Sequence, residues 1–184
     1  QQSSARRAPP ENFHQLRDTT MAALNNQSTL SIAGPWSADQ INRHMQLSTI
    51  PLRLAINGTR GMPVVLSLWF VSEGAQLWCA SVDEARVIGL IQRDPRCGFE
   101  IAADMPPYRG VRGQANASLH PDRGAEVLDL LLDRYKVHRK SRLGRFLLGR
   151  AQREIAIKIE PIRLLTWDYS DRMKGAAGAS AEAC

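Results

Sequence analysis

The stretch PLRLAINGTRGMPVVLSLWFVSEGAQLWCA, Pro51–Ala80, decides the fold. Its first residues alternate, with Leu52, Leu54 and Ile56 on one face, the period of a half-buried strand. Asn57 to Gly61 supplies turn residues that tolerate positive φ. The run Pro63–Val71 is almost wholly apolar, so it reads as a strand covered on both faces. Ser72 to Gly74 turns the chain, and Gln76–Ala80 returns as a third strand. Together these strands predict an antiparallel meander.

Outward from this core, the pattern alternates strands with short helices. Ser37 and Gln40 fit a capping box, predicting a helix to about Gln46 that buries Ile41, Met45 and His44. Ser81 and Glu84 fit a second capping box, opening a helix with Val87, Leu90 and Ile91 inward and a stop at Asp94–Pro95. Arg96–Ala102 reads as a strand, Asp104–Pro107 as a loop, and Gly110–Leu119 as a strand bulged at Gly113. Pro121–Tyr135 is helical by the spacing of Val127, Leu128, Leu131 and Leu132. Glu154–Ile159 alternates again, Pro161 breaks it, and Arg163–Tyr169 resumes. Residues 1–35 read as an N-terminal arm with a short amphipathic helix from Phe13 to Leu24. Residues 36–172 form the domain, and the Gly/Ala/Ser-rich 173–184 reads as a disordered tail. The fold class is therefore α+β, mainly β, an antiparallel barrel with peripheral helices.

Composition narrows the function. With 43% hydrophobic and 23% charged residues over 184 positions, the chain is neither collagenous, wholly disordered nor a small disulfide scaffold. No run reaches the roughly 18 apolar residues of a membrane helix. Cys79, Cys97 and Cys184 have no metal-ligand spacing, which fits reduced thiols in a cytoplasmic protein. The net charge is +6, and the cations are 20 arginines against only 4 lysines. Guanidinium forks suit phosphate or carboxylate partners. No nucleophile elbow, phosphate loop or paired-histidine motif is present, and His14, His44, His120 and His138 are scattered, so no metal site is expected. Cys79 and Cys97 lie in strands, where buried thiols are commoner than nucleophiles.

Four segments carry candidate chemistry. Ser81 and Arg86 lie at a strand-to-helix junction suited to an anion, although Asp83 and Glu84 compete there. Leu66–Phe70 holds Ser67 among large apolar residues, as plain core or as a bed for a flat ring. Met105–Gly113 brings Tyr108, Arg109 and Arg112 onto a glycine-containing strand. Arg134–Arg153 holds eight cations and no acid, an anion-binding segment or a solvated basic face. Only Tyr135 and Phe146 interleave it, which poorly supports nucleic-acid stacking.

These pieces, in this order, resemble the pyridoxamine 5′-phosphate oxidase-like split-barrel flavoproteins, a family that includes deazaflavin-dependent reductases. The matching stretches are PLRLA (51–55), GMPVVLSLWF (61–70), LWCAS (77–81), QRDPR (92–96), PYRGVRG (107–113) and PIRLLTWDY (161–169). The resemblance implies a six-stranded antiparallel split barrel forming a homodimer, with FMN or a deazaflavin coenzyme between subunits. It implies a ring against Val65, Ser67 and Trp69, contacts at Ala80 and Ser81, a phosphate on Arg86, and Tyr108–Arg109 lining the same groove. Val87 replaces a basic residue that follows Arg86 in many members, and Leu66–Phe70 carries none. Phosphate contact then falls also to Arg109, Arg112 or the basic run. The expected activity is hydride transfer to a small-molecule substrate. No catalytic acid or base is assigned. A haem-handling split barrel, with His138 as the ligand, is the third alternative.

Overall fold

A computed structural model describes residues 30–174. The helix expected within the arm and most of the expected tail lie outside these residues.

The elements are β1 (Ser31–Ala33), α1 (Ala38–Leu47), β2 (Leu52–Asn57), β3 (Pro63–Leu68), β4 (Val71–Glu73), β5 (Gln76–Val82) and α2 (Arg86–Arg93). They continue with β6 (Arg96–Ala102), β7 (Arg109–His120), α3 (Gly124–Arg134), α4 (Arg142–Leu148) and β8 (Glu154–Asp168). All eight strands join one sheet, in the order β3-β2-β6-β7-β8-β5-β4, with β1 parallel to the later part of β8. The strands β3 and β4 stand at opposite ends of that path, yet only Trp69 and Phe70 separate them in the chain. The sheet therefore curls until its ends meet, as a barrel.

Its interior follows from the alternation in the sequence. Leu52, Leu54 and Ile56 face inward with Leu77, Ile101 and Ile157, all essentially buried. Two helices complete this core. The α1 capping box forms as expected, Ser37 and Gln40 bonding each other's backbone N–H, and the helix buries Ile41 and Met45. The α2 helix contributes Val87, Ile88, Leu90 and Ile91 to the same cluster. Outside the barrel, α3 lays Val127 and Leu131 on Trp78 and Ala156.

Several expectations are corrected. The sheet has eight strands rather than six, because Trp69 and Phe70 divide Pro63–Glu73 and β1 adds a strand. The meander does not form: β3 pairs with β2, whereas β5 pairs with β8 and β4. The physical reason is the barrel corner at Trp69–Phe70. The Phe70 ring turns fully inward, while Trp69 stacks on Tyr135 at 4.7 Å. Nor are both faces of β3 covered by the described residues, since Val65 is 64% exposed.

The second capping box is also absent. Ser81 and Val82 pair with Ile155 and Glu154, extending β5, and α2 starts after Ala85 with no side-chain cap. Ladder bonds to β8 outcompete a local cap. The irregularity falls between Gln114 and Ala115 rather than at Gly113, and the extra residue is Ile162 on β8, which the pairing skips. Gly113 instead makes room for the Phe99 ring, which a Cβ there would approach to 2.5 Å. Pro161 bends β8 at that same irregularity without breaking the strand.

Candidate functional site

Where one strand face turns inward, its alternate residues must turn out. On β3, β2, β6, β7 and the later part of β8 these outward residues fall into two rows across the sheet. The register aligns Val65, Ala55, Gly98, Gln114 and Arg163 in one row. Two residues along, it aligns Ser67, Arg53, Glu100, Arg112 and Leu165. Ala55 and Gly98 are the small members, so the sheet surface sinks there between taller neighbours. The result is an open trough of about 530 Å³. Its floor is Ala55 and Gly98, and its rim includes Val65, Arg53, Glu100, Arg112, Gln114 and Arg163.

The rim is predominantly cationic. Arg53 donates to Asp104 at 2.7 Å, which also raises the pKa of its guanidinium. The Arg112 guanidinium stands over the Trp167 ring, 5.3 Å from its centroid. Neither Arg112 nor Arg163 has a carboxylate within ion-pair distance among the described residues. A flat, weakly polar floor bordered by free guanidinium groups suits a planar ligand with an anionic tail.

The fold is shared with solved structures. A conserved hypothetical protein of Mycobacterium tuberculosis superposes with a TM-score of 0.63 at 20% identity, over 82% of this chain and 92% of its own. An F420 reductase gives 0.55 at 18% identity, over 65% of this chain and 92% of its own. A candidate pyridoxamine 5′-phosphate oxidase of Listeria innocua gives 0.57 at 16% identity, over 70% and 96%. The fold is the pyridoxamine 5′-phosphate oxidase-like split barrel. No family model and no curated protein matches the sequence.

Within this split barrel the expected site residues occupy four places. Val65 and Ser67 lie on the outward face of β3, the former on the trough rim. Trp69 and Ala80 pack into the cluster beneath α3. Arg86 is exposed, in a second groove with Thr59, Asp83, Glu84 and Ile155, the strand partner of Ser81. Tyr108 and Arg109 lie at the start of β7, beyond the trough, with Tyr108 44% exposed. The Arg86 groove and the trough share no lining residue, although Thr59 and Val65 belong to the same β2–β3 hairpin. The sequence reading missed Arg53, Ala55, Gly98, Glu100, Gln114 and Arg163. Alternation marks their outward faces, but only strand register brings them together.

The remaining candidates have structural partners. Arg153 pairs with Asp83 and Glu84, and its hydrogen bond holds the Asp83 carboxyl below the usual range. Those acids therefore do not pair with Arg86. Half-buried Arg134 donates to the Met45 and Ser48 carbonyls at 2.6 and 2.7 Å. Arg139 pairs with Asp129 and Asp133, and Arg150 with buried Glu154. The basic run is thus partly neutralised by acids from other segments. Burial pushes the Cys97 thiol up to about 12 and the Cys79 thiol further still, so neither is a thiolate near neutral pH. The His138 ring accepts a hydrogen bond from the Lys140 N–H. No group of metal-ligating side chains occurs among the described residues. No helix there is long and apolar enough to cross a membrane.

Proposed function

We propose that this chain is an FMN-binding oxidoreductase that works as a homodimer, with the trough as its cofactor groove. The observation that carries this reading is the trough itself: a floor of Ala55 and Gly98 bordered by the unpaired guanidinium groups of Arg112 and Arg163. A bound flavin supplies hydride transfer to a small-molecule substrate. The chain's own residues bind and orient. Arg112 and Arg163, with Arg86 from the second groove, hold the phosphate. Ala55 and Gly98 let the ring approach the backbone, and Ser67 presents a hydroxyl at its edge. No side chain is assigned as acid or base.

A second copy of the chain would shut water from this groove. The exposure of Met62, Val65 and Ile162, at 71%, 64% and 47%, supports a covered face. Nucleic acid is disfavoured, because Tyr135 is already stacked on Trp69, leaving only Phe146 in the basic run for base stacking.

The rival reading is a deazaflavin coenzyme in the same groove, in keeping with the F420 reductase among proteins of this fold. The absorption spectrum of the natively purified protein separates the two. FMN gives two bands reaching into the blue, whereas a deazaflavin gives one dominant band. Sedimentation at micromolar concentration tests the dimer. A folded monomer that binds neither coenzyme would refute the proposal.

A further inference from the structure

The connection from α3 to β8 carries a surface that the cofactor groove does not use. Ser141 caps α4, its hydroxyl accepting from the Gly144 N–H at 3.0 Å. Gly144 is buried, and a Cβ there would collide with the His138 carbonyl. The helix is therefore pressed against its own approach segment through Gly144. At 3.6 residues per turn, its opposite side presents Arg142 and Phe146, flanked by Leu143 and Arg145. Phe146 is 60% exposed and Leu143 46%. Beside them Lys140, Arg142 and Arg145 are exposed, and the Arg145 guanidinium donates to the Lys140 carbonyl. None has an ion-pair carboxylate among the described residues. Arg150 lies over the Phe146 ring at 4.8 Å and reaches back to buried Glu154, tying this face to the barrel.

We propose that the outward face of α4 docks the protein on an anionic lipid surface. Phe146 and Leu143 enter the boundary between headgroups and acyl chains, and Lys140, Arg142 and Arg145 meet lipid phosphates. Charge complementarity selects this occupant. A second copy would set like charges against like across a two-fold axis, at an electrostatic cost. A face needing only hydration would not carry Phe146 and Leu143 outward.

Vesicle co-sedimentation of the full chain tests this, with phosphatidylcholine alone and with added phosphatidylglycerol. The chain should sediment with the anionic vesicles and not with the neutral ones, and high salt should release it. Removing two contact cations in Lys140→Glu/Arg142→Glu should weaken that binding more than about tenfold. Phe146→Ser and Leu143→Ser should each weaken it by about tenfold, with unchanged circular dichroism. Equal partition onto both vesicle types would overturn the proposal, as would no binding to either. Binding to heparin, together with vesicle binding that ignores Phe146→Ser and Leu143→Ser, would also overturn it and assign the patch to a soluble polyanion.

Discussion

The outer face of this one sheet is finished in two different ways. Over β4, β5 and the early part of β8, the chain roofs itself with α3: Trp78, Val127, Leu131 and Ala156 are all buried there. Over β3, β2, β6, β7 and the later part of β8 no helix roofs the sheet among the described residues, and Val65, Arg112, Gln114 and Arg163 are exposed. The residues differ accordingly. The roofed half offers large apolar side chains to a helix, whereas the bare half offers small residues walled by charge. Burial under α3 serves stability, and the bare half is where the proposed cofactor groove lies.

Substitutions that separate the halves should separate stability from binding. In the roofed half, Leu131→Ala should cost about 2–5 kcal/mol of stability, since Leu131 is 2% exposed and a cavity would remain. Chemical denaturation measures this, and the FMN affinity of the folded fraction should be unchanged. In the bare half, Arg112→Ala should weaken FMN binding by about 1.5–3 kcal/mol, the range for a hydrogen bond to a charged group. Riboflavin, which lacks the phosphate, should bind both proteins alike. Equal losses for both flavins would place the phosphate elsewhere.

Gly98→Val fills the trough floor. The new Cβ would meet only ordinary contacts, 3.6 Å from the Gly113 carbonyl and 3.9 Å from Ala55. Stability should therefore stay within about 0.5 kcal/mol, while overpacking against the ring should weaken FMN binding by about 1–3 kcal/mol. Isothermal titration and thermal melting of the same sample compare the two.

The smallest effect belongs to neither half. His44 packs on the Trp36 ring at 4.8 Å and lies 3.1 Å from the Ile101 carbonyl. Burial pulls its pKa below the ordinary 6.5. The unfolded chain then binds the proton more readily than the folded one. The neutral ring's contribution is fully present above pH 6.5 and is lost as pH falls below it. Melting temperatures between neutral and mildly acidic pH should fall for wild type, and less steeply for His44→Gln.

The same contrast explains what was legible in the sequence. The alternation of Leu52, Leu54 and Ile56 and the Ser37–Gln40 box are local signals, and both formed as read. At Ser81 an equally good local signal failed, because pairing of Ser81 with Ile155 satisfies the same backbone from far along the chain. The apolar run Pro63–Val71 was read as one strand, since nothing local shows that Trp69 and Phe70 turn a barrel corner. Most of the bare face was invisible for a related reason. Ala55, Gly98, Gln114 and Arg163 come from separate strands, and register alone makes them neighbours.

The central claim is that the bare half of the sheet holds the cofactor. An amide NMR titration of the folded protein with FMN tests it most directly. The account predicts saturable shifts at Ala55, Val65, Gly98 and Gln114, with Trp78, Leu131 and Ala156 beneath α3 unmoved. Shifts confined to the residues beneath α3, with Ala55 and Gly98 silent at saturation, would contradict it.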